Sequence, residues 1–386
     1  MLSEPITKIP LSVPEISGNE WKYVKECLDT GWISSVGTYV NKFEEMFAEL
    51  MPGCQAVACV NGTAALHTAM LILGVKPGEE VICSDVTFIA PVNAIRYCGA
   101  VPVLIDAVLD SWQLDPALVE SFLREGCERR DGGVYNKKSG RRVAAIMPVH
   151  ILGQPVDMAP LLRLSQEFGI PIVEDSTESL GATYDGIPTG TLGEIGCFSF
   201  NGNKLISTGG GGMIVTKNKD FAEKARYLTQ QAKDDPLEFI HNEVGYNYRL
   251  TNVAAAIGVA QLERLTEFLE IKRRIASRYE EGLGDIPNLA FMPKVQGTVS
   301  ALWLYTIRLV GQSSRPLLQH LDREGIQTRP LWQPIHLSPA YAEYDFLPCP
   351  NAETLQRECL SLPCSVGLKP DEQDRVIQEI RKFFSA

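Results

Sequence analysis

The feature that most constrains the fold of this chain is a series of short apolar segments separated by segments of helical character. Continuous apolar runs of about five residues predict strands that are buried on both faces, as in a parallel sheet covered by helices. Helical spacing of apolar residues marks the intervening segments, for example 90–97 and 158–168. This alternation predicts an α/β fold. The clearest predicted strands are Ala56–Val60, Glu80–Cys83, Val101–Ile105, Val143–Met147 and Ile170–Val173.

The length of the chain predicts two domains. At 386 residues it exceeds what one hydrophobic core usually supports. A long helical stretch, 250–283, has an apolar stripe and a charged opposite face, and we place the domain transition there. The prediction is therefore a large domain over residues 1–250 and a smaller C-terminal domain over 251–386 that begins with a long linking helix. Segment 124–142 is polar and contains glycine, which favours a surface hairpin or loop over a ligand site.

Charge and cysteine usage exclude several classes of function. The net charge of −11 argues against nucleic acid as a partner, although a local cluster could still bind an anionic small molecule. The first residues lack the apolar core of a signal peptide, and no apolar run approaches the ~20 residues that a membrane span needs. The ten cysteines are scattered without metal-ligand spacing. We therefore expect buried, reduced thiols in a cytoplasmic protein, and no metal site.

The residues that carry chemistry are concentrated around one lysine. Lys204 lies between a short apolar run and the glycines 209–212, and upstream of it Pro171–Asp175 predicts a buried strand that ends in two carboxylates. A lysine that forms a Schiff base, an aspartate that keeps a pyridine nitrogen protonated and glycine-rich backbone are what a protein needs to hold pyridoxal phosphate (PLP). Taken alone, the lysine could be a solvated side chain, the aspartate a surface carboxylate and the glycine run a flexible loop. The glycine run has neither P-loop nor dinucleotide-loop order.

The segment Asn61–Ala65 lies between a predicted strand and a predicted helix, and it is a candidate anion site. Backbone N–H groups at a helix N-terminus attract phosphate. Gly62 would allow close approach, and Thr63 would add a hydroxyl. Alone, the motif is better explained as a simple N-cap. Ser199 precedes Lys204 by five residues and could contact the same phosphate.

Eight segments, in one order along nearly the whole chain, resemble the DegT/DnrJ/EryC1/StrS group of sugar aminotransferases. The resemblance implies fold type I of the PLP enzymes: a large domain with a mostly parallel central sheet flanked by helices, and a smaller C-terminal α+β domain. Within the group, the chain looks most like the branch that makes 4-amino sugars for legionaminic acid and bacillosamine pathways. The matching segments are Gly31–Gly37, Asn61–His67, Thr87–Asn93, His150–Gly153, Glu174–Gly181, Cys197–Gly212, Gly245–Arg249 and Ala256–Glu263.

The resemblance implies roles around the cofactor. Lys204 would form the Schiff base and then carry the proton during transamination. Asp175 would pair with the pyridinium nitrogen, and Phe88 would stack on the ring. Glu178 stands where many relatives place glutamine or histidine against the ring hydroxyl, and a carboxylate there would repel a phenolate unless it were protonated or turned away. The phosphate would be held by Gly62, Thr63 and Ser199, and by Asn247 of the neighbouring subunit, which implies a homodimer with shared active sites.

The resemblance also implies a reaction and candidate substrate contacts. L-Glutamate would give its amino group, leaving as 2-oxoglutarate, to a nucleotide-linked 4-keto-6-deoxy sugar. We expect that sugar to be UDP-linked and 2-acetamido, in bacterial surface-glycan or nonulosonic acid biosynthesis. Trp332 and His336 lie in a segment that in the family approaches the sugar nucleotide, but a packed tryptophan and a surface histidine explain them about as well. Arg249 is a candidate anion contact, and His150 is a candidate near the site, although lone histidines are usually structural.

Two alternatives stay open. One is an aminotransferase that acts at C3 of a dTDP- or GDP-linked keto sugar. The other is a non-catalytic protein with the same fold, which would bind nucleotide sugars or have a regulatory role. A sister branch that dehydrates sugars at C3 has histidine where this chain has Lys204, and the lysine argues against that activity.

Overall fold

The structure is a computed structural model that describes residues 8–235, 237–344 and 346–385. Strands and helices alternate along this part of the chain, as the apolar pattern predicts. The strands are β1 (Gln55–Cys59), β2 (Glu80–Ser84), β3 (Val101–Ile105), β4 (Cys127–Arg130), β5 (Gly133–Asn136), β6 (Val143–Met147), β7 (Val173–Asp175), β8 (Thr183–Tyr184), β9 (Ile187–Pro188), β10 (Ile195–Ser199), β11 (Gly212–Thr216), β12 (Leu289–Ala290), β13 (Thr298–Val299), β14 (Thr306–Leu309), β15 (Arg329–Pro330) and β16 (Cys359–Ser361). The α-helices are α1 (Glu20–Thr30), α2 (Thr38–Glu49), α3 (Gly62–Ile72), α4 (Ala90–Tyr97), α5 (Pro116–Ser121), α6 (Met158–Phe168), α7 (Lys219–Thr229), α8 (Asn252–Leu262), α9 (Leu265–Leu283), α10 (Arg315–Arg323), α11 (Pro350–Glu358) and α12 (Pro370–Ser385).

The central sheet has the strand order β1-β11-β10-β7-β6-β2-β3. Strand β11 runs antiparallel to both of its neighbours, and the other neighbouring pairs are parallel. The two halves of the sheet join where parallel bridges pair Ile146 with Ile172 and Val149 with Asp175. Strands β2, β6 and β11 are buried along their whole length. The parallel pairings confirm the mostly parallel central sheet, and the burial shows that both of its faces are covered.

A second sheet forms in the C-terminal part of the chain. Its order is β12-β14-β16-β15, and its neighbours are antiparallel. Helices α10 and α11 pack beside its strands, and α12 packs on α9 and α10. This part is therefore α+β. The division of the chain at residue 250 stays a prediction: α8 packs on α1 and α2, whereas α9 packs on α12.

The predicted long helix over 250–283 is wrong in one respect, because the structure has two helices there. Helix α8 ends at Leu262, Arg264 leaves helical conformation with φ −114° and ψ 6°, and α9 begins at Leu265. Most residues of α8 are buried all round the helix, whereas α9 buries one stripe. Because α8 is buried on most sides and α9 on only one, the chain forms two separate helices that pack in different surroundings.

The polar segment 124–142 contains the antiparallel hairpin β4–β5, which confirms the predicted surface hairpin. Its turn residues, Asp131 and Gly132, have φ of 50° and 74°. Positive φ at both positions is what a two-residue hairpin turn requires.

All ten cysteines are free, and nine of them are buried, as expected for reduced thiols. No helix in the part of the chain that the structure describes is long and apolar enough to cross a membrane.

Candidate active site

A cavity of about 350 Å³ opens where the carboxyl ends of parallel strands β1, β7 and β10 meet at one edge of the central sheet. Open α/β sheets bind their ligands at this edge. Eight of the twelve residues predicted to form the site line this cavity. They are Gly62, Thr63, Phe88, Asp175, Glu178, Ser199, Lys204 and Trp332.

Lys204 projects into the cavity from the turn that follows β10. Its Nζ lies 3.6 Å from Glu178 Oε1 and 3.6 Å from the centroid of the Trp303 ring. Its side chain is 13% exposed. This burial lowers the pKa of Lys204, although the nearby carboxylates of Glu178 and Asp175 oppose the shift. A lowered pKa increases the neutral fraction of the amine, and the neutral amine is the form that attacks an aldehyde or accepts a proton.

Asp175 is the last residue of β7 and is buried. Its Oδ1 accepts a hydrogen bond from the Thr177 N–H at 3.0 Å. Burial raises the pKa of Asp175, while the hydrogen bonds from Thr177 lower it. A pyridinium cation beside this carboxylate would favour its charged form, so the position fits the predicted partner of a pyridine nitrogen.

Glu178 lies beside Lys204, and a backbone hydrogen bond holds one of its carboxylate oxygens. Its Oε2 accepts a hydrogen bond from the Leu152 N–H at 2.7 Å, and its Oε1 faces Lys204. Burial raises the pKa of Glu178 to about 7. Because Oε1 faces Lys204 and the residue lines the cavity, Glu178 is not turned away from it, and its raised pKa makes the protonated form accessible near neutral pH. In that form it can donate a hydrogen bond to a phenolate oxygen instead of repelling it.

The N-terminus of α3, with Gly62, Thr63 and the adjacent Ser199, forms a concave cup that would suit a phosphate. Asn61 Oδ1 caps the helix by accepting from the Ala64 N–H at 2.7 Å. The N–H groups of Gly62 and Thr63, in the first turn, have no partner inside the helix. A Cβ on Gly62 would lie 2.8 Å from the Ser199 Cβ, so glycine is needed for this close approach of α3 and β10. The helix N-terminus and two adjacent hydroxyls suit an anion.

Two of the predicted residues that line the cavity, Phe88 and Trp332, are aromatic. Phe88 follows β2 and is 52% exposed, so its ring is available to stack on a planar ligand. Trp332 stacks on Trp303, with ring centroids 6.3 Å apart and planes inclined by 12°.

Sequence reasoning missed Trp303, which also lines the cavity. Trp303 belongs to the apolar run 302–310, which has the character of a strand, but β14 begins only at Thr306. Leu302 has φ of 53°, which interrupts the extended conformation immediately before the tryptophan. The sequence offers only one weak signal, a large aromatic residue at the start of an apolar run.

His150 is buried away from the cavity lining. Its Nδ1 accepts from the Val156 N–H at 3.0 Å, so Nε2 carries the proton and donates to Glu174 Oε2 at 3.0 Å. Both ring nitrogens therefore have protein partners. Its role in substrate binding remains a prediction without support from this geometry.

Three other predicted residues also lie outside the cavity lining. Arg249 forms an ion pair with Glu44 and donates to the Ala58 carbonyl at 3.2 Å. Asn247 is exposed. His336 Nδ1 donates to Asp85 Oδ2 at 2.7 Å, and these two residues and Cys349 place possible metal-ligand atoms within 4.8 Å of one another.

Lys204, Asp175 and the cup at α3 provide an amine, a carboxylate and a phosphate site in one cavity, and they fit PLP. When bound, PLP would supply an electron sink for a carbanion at the substrate carbon. The fold and the site thus define a PLP-dependent enzyme of fold type I.

The chain belongs to the DegT/DnrJ/EryC1/StrS aminotransferase family, whose profile matches residues 14–381. EpsN of Bacillus subtilis (strain 168) is 40% identical over 98% of this chain and 96% of its own length. The GDP-perosamine synthase of Caulobacter vibrioides is 40% identical over 96% of this chain and 97% of its own. The crystal structure of the aminotransferase TlmJ from Streptoalloteichus hindustanus has a TM-score of 0.89 and 31% identity, and covers 98% of this chain and 99% of its own. The chain is thus a PLP-dependent sugar aminotransferase of nucleotide-sugar biosynthesis.

Proposed function

We propose that this enzyme transfers the amino group of L-glutamate to C4 of a nucleotide-linked 4-keto-6-deoxy sugar. The observation that carries the proposal is the Lys204 amine, which lies in one cavity with Asp175 and the phosphate cup at α3. Lys204 Nζ takes the proton from the donor's Cα, and in the second half-reaction it delivers a proton to the sugar carbon. Its lowered pKa suits it to act as a base.

The nucleotide is the least constrained part of the proposal. The sequence resemblance predicts a UDP-linked, 2-acetamido sugar. Relatives from Caulobacter vibrioides, Escherichia coli O157:H7 and Vibrio cholerae, at 36–40% identity, are named GDP-perosamine synthase, which favours a GDP-linked sugar as the second candidate.

An activity screen tests both candidates. Purified protein with PLP and L-glutamate is incubated with UDP-, dTDP- and GDP-linked 4-keto-6-deoxy sugars, and the products are identified by mass spectrometry and NMR. We expect a 4-amino sugar and an equal amount of 2-oxoglutarate with one of the nucleotides. An amino group at C3 would favour that alternative. If no sugar is aminated and L-glutamate does not bleach the bound cofactor, the proposal is wrong and the non-catalytic alternative is favoured.

We further propose a homodimer in which Asn247 contacts the phosphate of the neighbouring subunit. Exposed apolar side chains lie in the segment before Asn247, with Leu237 85% and Val244 80% exposed. Apolar exposure on this scale suits a surface that is covered in an assembly.

Subunit complementation tests this arrangement. Lys204→Ala and Asn247→Ala each damage one half of a shared site. Mixed dimers should contain one intact site, so unfolding and co-refolding the two variants should restore about a quarter of wild-type activity. A mixture no more active than its parents would argue against shared sites.

We also propose that the protein works in the cytoplasm, because its ten free cysteines suit a reducing compartment.

A further inference from the structure

Trp303 is the aromatic side chain in contact with Lys204, and it is only 4% exposed. The Lys204 Nζ lies 3.6 Å from its ring centroid, well within the distance at which an ammonium interacts with an indole face. Glu178 Oε1 lies 3.6 Å from the same nitrogen. The ε-amine therefore lies close to both an aromatic face and a carboxyl group.

Trp303 is held by hydrogen bonds at three groups. Its indole N–H donates to the Asn203 carbonyl at 2.6 Å, which ties the ring to the residue before Lys204. Its backbone N–H donates to the Leu152 carbonyl at 3.0 Å. Its carbonyl accepts from the Nζ of Lys272, a buried lysine of α9, at 2.7 Å. A side chain fixed in this way can hold a flexible lysine in one place.

Leu152 connects the aromatic and carboxyl sides of this arrangement. Its carbonyl accepts from Trp303, and its N–H donates to Glu178 Oε2. Leu152 itself has φ of 59° and ψ of 10°, a left-handed conformation that is unfavourable for leucine. Such a conformation persists where surrounding contacts determine it. Leu152, a strained residue, thus holds both Trp303 and Glu178 in place beside the amine.

We propose that Trp303 is a positioning residue for Lys204: its indole face and the Glu178 carboxyl group form a seat for the ε-amine whenever that amine is not covalently engaged. The inference deepens the proposed function and rests on it for the role of Lys204. The seat keeps the free amine close to the reacting carbon during each half-reaction. It also excludes water on the indole side, which helps to maintain the neutral amine.

Few ionisable groups surround the seat in the part of the chain that the structure describes. Among the described residues that line the cavity, the ionisable ones are Asp175, Glu178 and Lys204. From α9, Lys272 reaches the Trp303 carbonyl, on the backbone side of the indole. Replacing the indole by a smaller side chain opens space that is continuous with the cavity and that water can enter. Loss of the indole face removes a cation–π attraction, but hydration stabilises the ammonium form by more, so the pKa of Lys204 should rise when the ring is removed.

The test is pH-dependent labelling of the full-length protein freed of cofactor. Trace acetic anhydride acetylates unprotonated amines, and mass spectrometry compares acetylation of Lys204 with that of the exposed Lys294. The midpoint for Lys204 should rise by about one pH unit in Trp303→Leu and by less in Trp303→Phe, which keeps a ring. Trp112→Phe, a change at another buried tryptophan, is the matched control and should leave the midpoint unchanged.

An unchanged or lower midpoint in Trp303→Leu, with Trp112→Phe at the wild-type value, would overturn the proposal. If Trp303→Leu fails to fold, Trp303→Phe decides: a rise supports the seat, and no rise overturns it. Glu178→Gln removes a carboxyl group that becomes negatively charged as the pH rises and then favours the ammonium form, so the midpoint for Lys204 should fall, and a rise would also contradict the seat. The labelling uses neither sugar nor donor, so an inactive enzyme that shows these shifts refutes only the proposed function.

Discussion

Two buried glutamates four residues apart, Glu174 and Glu178, lie in regions of opposite character. The carboxylate of Glu174 accepts four hydrogen bonds, one from the His150 imidazole and three from backbone N–H groups, whereas Glu178 accepts one backbone hydrogen bond and faces Lys204 at 3.6 Å. The three backbone donors to Glu174 are Gly190, Leu192 and Gly193, at 2.7–2.8 Å.

The difference separates structural polar groups from functional ones. A buried carboxylate with a full set of donors has little capacity left for a ligand. His150 and Arg249 resemble Glu174, because their side chains already form hydrogen bonds or ion pairs with other groups of the protein. Lys204 and Glu178 retain capacity and line the cavity. Mutations in the two regions should therefore have different consequences: losses of stability in the first and losses of chemistry in the second.

Lys204→Ala should cause the largest effect. Turnover should fall by at least about a thousandfold, because the variant loses both the amine nucleophile and the proton carrier. Steady-state assays of L-glutamate consumption measure it, with Lys294→Ala at an exposed lysine as the control. A variant that still turns over at a tenth of the wild-type rate would remove Lys204 from the chemistry.

Glu174→Ala should cause the largest loss of stability. It leaves backbone N–H groups of the 190–193 loop and the His150 ring without an acceptor, at a cost of about 3 kcal/mol or more in the free energy of unfolding. Urea unfolding of the cofactor-free protein measures it. Glu178→Ala, which removes one backbone hydrogen bond, should cost less. Equal destabilisation by Glu178→Ala and Glu174→Ala would show that the two glutamates do not differ in structural role.

Glu178→Gln should keep most activity and change the dependence of stability on pH. The pKa of Glu178 is raised to about 7 in the folded protein. Its contribution to stability is therefore fully present below its unfolded pKa, near 4.3, and is lost as the pH rises through 7. Glutamine does not titrate, so between pH 5 and pH 8 the variant should gain about 2 kcal/mol relative to wild type.

Unfolding curves of Glu178→Gln and wild type at these two pH values measure the gain. A constant difference would show that Glu178 does not titrate in this range. Loss of PLP binding by the variant would show that the carboxyl group is essential.

Phe88→Leu should have the smallest effect on folding. The ring is half exposed, so the free energy of unfolding should change by less than about 1 kcal/mol, whereas Phe43→Leu, at a fully buried ring, should cost more. Loss of stacking should nevertheless weaken PLP binding several-fold, as measured by fluorescence titration. Unchanged PLP affinity would exclude Phe88 from the cofactor site.

The sequence located the residues at strand ends well, because parallel strands place their carboxyl ends at one edge of the sheet. Asp175 and Gly62, which follow predicted strands, are found in this way, whereas Ser199 is inferred from its position five residues before Lys204. Contacts between distant segments could not be predicted: Trp303 meets Asn203 across 100 positions, and His336 meets Asp85 across 251. A histidine or tryptophan is visible in the sequence, but its partner is set by packing of the C-terminal part over the central sheet.

Borohydride reduction of the PLP-loaded enzyme, followed by peptide mass mapping, shows directly whether Lys204 is the residue that holds the cofactor. Reduction fixes the cofactor to the amine that holds it. We expect one phosphopyridoxyl group per chain, on the peptide that contains Lys204, and none in Lys204→Ala. A label on another lysine, such as the buried Lys272, or no label in an enzyme that binds PLP, would show that Lys204 does not hold the cofactor.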